Sequence, residues 1–164
     1  MKIGGREIKG PNKVTLVLPR EGQEDIVIIA QAVLDTELFD KLCPEPKAPV
    51  KLMAGGAKEP NYNDSGYKAQ LIEHSVRRMA FMVLYSLIPS NIEWATVDLE
   101  DPSTWLNYNK ELKEAGFSSV EVNRIGQAVM QANALDEDKL EAARQVFLRG
   151  QAAPKESSGP DIQV

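Results

Sequence analysis

The spacing of apolar residues changes character once along this chain, and a stretch rich in proline and glycine marks the change. Before it, Val14-Thr15-Leu16-Val17-Leu18 and Ile26-Val27-Ile28-Ile29-Ala30 are β-branched runs of strand length. After it, Ile72, Val76, Met79, Val83 and Leu87 recur at steps of three and four, the period of one helix face. Between them Pro44, Pro46, Pro49, Gly55, Gly56 and Pro60 forbid a continuous helix and favour extended, loosely held backbone. The chain is therefore expected to be α+β: a small N-terminal antiparallel sheet, hairpin or meander, linked to a C-terminal helical bundle.

The two β-branched runs flank Pro19-Arg20-Glu21-Gly22-Gln23, a loop of hairpin length. A weaker run from Lys2 to Ile8, bent at Gly4-Gly5, is expected to add a third strand, since a lone hairpin is marginal in water. Thr36 to Leu42 reads as a short helix with Thr36 as its cap and Pro44 as its stop. These residues, 1–43, form the β-rich part. Residues 44–66 are expected to be a linker.

A helical part then spans 67–150. Its long helix runs from Tyr67 to Ile88 and is ended by Pro89. Ile92 to Asp98 alternates enough for a short strand or an extended connection. Asp101-Pro102 puts a capping acid before a proline at the first helical position, with Trp105, Tyr108 and Leu112 on one face up to Gly116. Ser118-Ser119-Val120-Glu121 is a capping box that opens a helix with the stripe Val122, Ile125, Val129 and Ala132. Asp136 caps a last helix expected to bury Leu140, Ala143 and Phe147 before Gly150. Residues 151–164 carry Pro154, Ser157, Ser158, Gly159 and Pro160 with no apolar period, and are expected to be a disordered tail.

The chemistry-bearing residues are few. The one histidine, His74, sits on the long helix beside Glu73 and Arg77, with no local partner that would make it a base or a ligand. The one cysteine, Cys43, has neither a second thiol nor a basic neighbour, which points to an inert buried thiol in a reducing compartment. Gly4-Gly5 and Gly55-Gly56 lack the spacing that cradles phosphate, and Asp136-Glu137-Asp138 are consecutive acids of a first helical turn rather than a calcium loop. No catalytic residue, cofactor or metal is expected, and the chain reads as a non-enzymatic binding protein. A net charge of −5 argues against nucleic acid, and no run of about 18 apolar residues suggests a membrane span. Short helices bury limited area, so the apolar residues off the main stripes, Val120, Met130, Val146 and Leu148, are candidate protein-binding positions, joined by Phe147 as an aromatic of the kind that anchors interfaces.

The order of features resembles the tail assembly chaperones of long-tailed bacteriophages. The residues that carry the likeness are Leu42-Cys43-Pro44-Glu45-Pro46, the Asn61 to Tyr67 entry into a long helix, and Trp94-Ala95-Thr96-Val97-Asp98 followed by Asp101-Pro102-Ser103-Thr104-Trp105. Glu111 to Ser118, Ala134 to Glu137 and Ala143 to Leu148 complete it. The resemblance implies a protein of the infected bacterial cytoplasm, absent from the mature virion. Its partners would be the helix-rich tape-measure protein, which it keeps soluble, and the tail-tube protein, which it helps to recruit; a homo-oligomer is compatible with that role. It also implies that a frameshifted extension could branch from the tail. The alternative from another class is a structural virion protein, a tail-tube or head-tail connector component.

Overall fold

The computed structural model describes residues 1–152. Three antiparallel hairpins and five helices follow one another as β1 (Lys2–Ile3), β2 (Arg6–Glu7), β3 (Lys13–Leu18), β4 (Ile26–Gln31), α1 (Glu37–Leu42), β5 (Val50–Leu52), β6 (Lys58–Pro60), α2 (Ser65–Ser86), α3 (Asn107–Glu114), α4 (Ser119–Ala132) and α5 (Glu137–Ala152). The architecture is α+β, with small antiparallel sheets and a predominantly helical remainder. The stretch 153–164, where most of the tail was expected, lies outside the described residues.

The β3–β4 register follows from side-chain alternation. Val14 pairs with Ala30, Leu16 with Ile28 and Leu18 with Ile26, which puts six apolar residues on one face. That face lies on α4, whose Ile125, Ala128, Val129 and Ala132 are buried; the two alanines let helix and hairpin approach closely. Val83 of α2, Leu87 at its C-terminal cap and Leu112 of α3 complete the same core. The hairpin and the helices thus share one hydrophobic centre, a relation the sequence left open. A second cluster, centred on Trp105, Phe39 and Phe81, ties α1 to the C-terminal half of α2.

Polar side chains pin the joints. The Ser90 hydroxyl donates to the Ile29 carbonyl at 2.9 Å and accepts from its N–H at 2.8 Å, which occupies the outer edge of β4. Asn133, just after α4, accepts from Val33 N–H and donates to the buried Ser86 hydroxyl, each at 2.8 Å.

Four local expectations change. The Lys2–Ile8 run pairs only with itself, as β1–β2, and adds no strand to β3–β4. The Pro/Gly-rich 44–66 stretch contains the β5–β6 hairpin, because Gly55 and Gly56 at φ 96° and 83° supply the tight turn. Of the two forms expected for Ile92 to Asp98 the structure takes the extended connection, held by the Glu111 carboxylate through the N–H groups of Ala95 and Thr96. The helix expected from Pro102 begins at Asn107, because the Asp101 carboxylate takes the N–H of Ser103 and the Trp105 indole N–H bridges back to the carbonyls of Asp98 and Leu99. At α1, Thr36 holds the cap position without a side-chain bond; Asp35 accepts from Leu38 N–H instead.

The capping box at α4 is present in full, Ser118 accepting from Glu121 N–H and the Glu121 carboxylate from Ser118 N–H. Glu121 also receives the Arg20 guanidinium, whose other face lies over the Phe117 ring at 5.4 Å. The Arg20 bond, then those to Ser118, pull the Glu121 carboxyl from its ordinary 4.5 down to about 2. A carboxyl lowered in the folded state stabilises the fold above its unfolded pKa, and that stabilisation fades as pH falls from about 4.5 toward 2. Glu121→Gln is therefore expected to flatten the acid limb of the stability curve. Urea midpoints compared between about pH 5 and pH 2 measure it, and an unchanged acid limb would contradict the assignment.

Candidate protein-binding surface

On α2 the stripe Ile72, Val76, Met79, Val83 and Leu87 is one continuous seam, but only its second half is covered. Val83 and Leu87 are core, while Ile72 is 67% exposed, Val76 45% and Met79 55%. Part of the reason is length. At 1.5 Å per residue the 22-residue α2 spans about 33 Å, whereas the 14-residue α4 beneath the hairpin spans about 21 Å. The first turns of α2, as far as Ile72, outrun α4, and Val76 and Met79 farther along are exposed as well. On its other side that overhang is anchored: His74 Nε2 lies 3.0 Å from the Cys43 carbonyl oxygen, and its ring meets Phe39 edge-on at 4.9 Å. Cys43 itself is buried.

The expectation that α5 buries Leu140, Ala143 and Phe147 is corrected. Every residue from 137 to 150 is exposed, because the core is already closed by β3–β4, α2, α3 and α4 and no described element packs over α5. The helix also runs past Gly150 to Ala152. Asp136 does cap it, accepting from Lys139 N–H at 3.2 Å.

The five sequence-derived candidates are all exposed, but they do not form one patch. Val146, Phe147 and Leu148 are consecutive on α5. Val120 stands in the first turn of α4 and Met130 near its end, about 15 Å apart along the helix axis. Sequence reading missed the larger feature, the α2 seam, because its period marks a buried stripe and a buried stripe was assumed over its full length. The helix's own length was the available signal.

A groove connects the two exposed helices. Met79 and Met82 of α2, Phe39 of α1 and Leu135, the residue before the α5 cap, line an almost wholly apolar hollow of about 230 Å³, with Arg78 at its rim. Arg78 is fixed there by Asp40 at 3.0 Å and by the Phe39 ring beneath it at 4.6 Å. A hollow of that size is below the range that holds a drug-sized molecule and suits one or two side chains. A second hollow of similar volume lies between β4 and α3, beside Trp94 and Phe117. In the first hollow, Met79 and Met82 make an adaptable wall.

The other lowered carboxyls also have structural partners. Glu111 is lowered chiefly by the Thr96 hydroxyl and the Ala95 N–H, and Asp101 by Ser103. Burial raises the Tyr108 hydroxyl. Among the described residues no helix is long and apolar enough to cross a membrane. Comparisons of the chain with protein-family models, with curated proteins and with solved structures find no match.

Proposed function

We propose that this chain is a tail assembly chaperone of the long-tailed bacteriophage type, which binds the tape-measure protein, keeps it soluble and helps bring tail-tube subunits to it. The observation that carries this reading is the uncovered half of the α2 seam. Ile72, Val76 and Met79 lie at steps of four and three on a rigid helix anchored through Val83 and Leu87 in the core. Such spacing is what an amphipathic partner helix packs against, reading anchors at every third or fourth residue. The apolar residues of α5 extend the same kind of surface, and the methionines of the groove suit a partner whose stripe varies along its length. The resemblance of the chain to this family supplies the partner's identity.

Co-expression with the tape-measure protein is expected to move that protein from the aggregated to the soluble fraction, and the chain is expected to be missing from purified particles. Unchanged aggregation overturns the reading. Stoichiometric presence in particles favours a structural virion protein instead.

A further inference from the structure

Two apolar seams of equal length lie uncovered on helices that meet at one groove. Leu135 sits in that groove against Met79 and Met82, and α5 opens directly after it. Seen from the groove, α2 leads away through Met79, Val76 and Ile72, while α5 leads away through Leu140, Ala143 and Phe147. Each trio spans eight residues, seven steps or about 10 Å of helix.

We propose that α5 is an intramolecular strap that folds back antiparallel along α2, setting Leu140 on Met79, Ala143 on Val76 and Phe147 on Ile72. The spacings are those of a two-helix seam. On α2 the steps run four, three, four through Val83, and on α5 they run three, four, so the core positions of one helix fall opposite those of the other in the antiparallel sense. The middle layer is the small one, Val76 with Ala143, which lets the helices come close. The flanks agree in charge. Glu73 and Arg144 occupy equivalent positions beside the two seams, positions that an antiparallel pair brings together, with opposite signs. Their present partners, Arg77 at 2.6 Å and Glu141 at 3.4 Å, lie on their own helices in exposed pairs, so exchanging them costs little.

The joint is suited to the movement. α4 ends in a fixed turn, with Ala134 at φ 54° and Leu135 N–H on the Met130 carbonyl at 2.9 Å, which holds Leu135 in place. What changes direction is the single link from Leu135 to the Asp136 cap. A 16-residue helix held to the rest of the fold by little more than Lys139 Nζ on Gln131 Oε1 of α4, at 2.8 Å, is marginal in water; closure gives up that exposed bond at most and stabilises α5 itself. The strap goes beyond the proposed function and does not depend on it. It covers the seam when nothing else does, and any helix that binds there must displace it.

Oxidative cross-linking of the full chain at micromolar concentration tests this. The register predicts that Val76→Cys with Ala143→Cys closes an intrachain disulfide roughly a hundredfold faster than it forms interchain links, as expected for tethered groups at millimolar effective concentration. The off-register pair Ile72→Cys with Leu140→Cys should lag well behind. Cys43 is buried and belongs to neither pair, and peptide mapping identifies the bond formed. Interchain products only, or equal rates for the two pairs, would overturn the strap. Spin labels at Gln70→Cys and Gln145→Cys give an independent readout: adding Leu140→Glu and Phe147→Glu should lengthen and broaden a short, narrow distance. A distribution broad from the start and indifferent to those changes would also overturn it.

Discussion

Replacing Trp105 with alanine is expected to destabilise the protein by about 3–5 kcal/mol, the range for removing a large aromatic side chain from a packed core. Trp105 is fully buried, with the Phe81 ring centroid at 5.5 Å and that of Phe39 at 6.1 Å, so its removal leaves a hole bounded by α1, α2 and the 98–105 turn. For a chain of this length that is a drop of roughly 10–15 °C in melting temperature. The indole also donates to the carbonyls of Asp98 at 3.1 Å and Leu99 at 3.2 Å. Trp105→Phe separates the two contributions. It keeps an aromatic ring and removes the donor, but each carbonyl retains another partner, Thr104 Oγ1 for Asp98 and the Tyr85 hydroxyl for Leu99. Its cost should therefore stay near the low end of an unmade hydrogen bond plus a smaller void, about 1–2 kcal/mol. Thermal and urea unfolding measure both. A loss below about 1 kcal/mol for the alanine variant would mean that the Phe39–Phe81–Trp105 cluster does not hold α1 to α2.

Much of this arrangement can be read from local chemistry. The β3–β4 hairpin declares itself by β-branched alternation, and α4 by its capping box and the stripe Val122, Ile125, Val129 and Ala132, of which the last three are buried. Both signals lie within a few residues, where the physics that selects the element acts. The misreadings arise where a distant partner decides. Trp105 has the spacing of a helical residue, yet its indole bonds back across the preceding loop and delays α3 by several residues. Leu140, Ala143 and Phe147 have the spacing of a core stripe, but spacing says only that a face is apolar and leaves open whether anything covers it. The same holds for Ile72, Val76 and Met79. A helical period identifies a face that needs a partner; whether the partner is in the chain depends on the lengths of the other elements.

That distinction makes the α2 seam the place where function and stability separate. In the double variant Ile72→Glu, Met79→Glu, both changes fall on exposed positions, and glutamate is at least as good a helix former as isoleucine or methionine. Surface changes of this kind usually stay within about 0.5 kcal/mol each, so the melting temperature of the core should hardly move, and any helicity lost should be confined to α5, whose strap contact these side chains make. Binding should respond otherwise. A partner helix lying along the seam would have to bury two carboxylates without cations opposite them, and central apolar anchors typically contribute 2 kcal/mol or more apiece. The two together are expected to weaken the complex by roughly 10²–10³-fold, enough to return a co-expressed helical partner to the aggregated fraction. Ile72→Gln with Met79→Gln should give most of that loss, since what matters is the apolar contact rather than the sign of the charge. Val120→Glu serves as the comparison: it alters an exposed apolar residue in the first turn of α4, outside the α2 seam, and should leave binding near its original strength. Full co-solubility in the double glutamate variant would remove the α2 seam from the binding surface. Equal loss in Val120→Glu would show that binding follows total exposed apolar area, with no preference for the spacing of the seam.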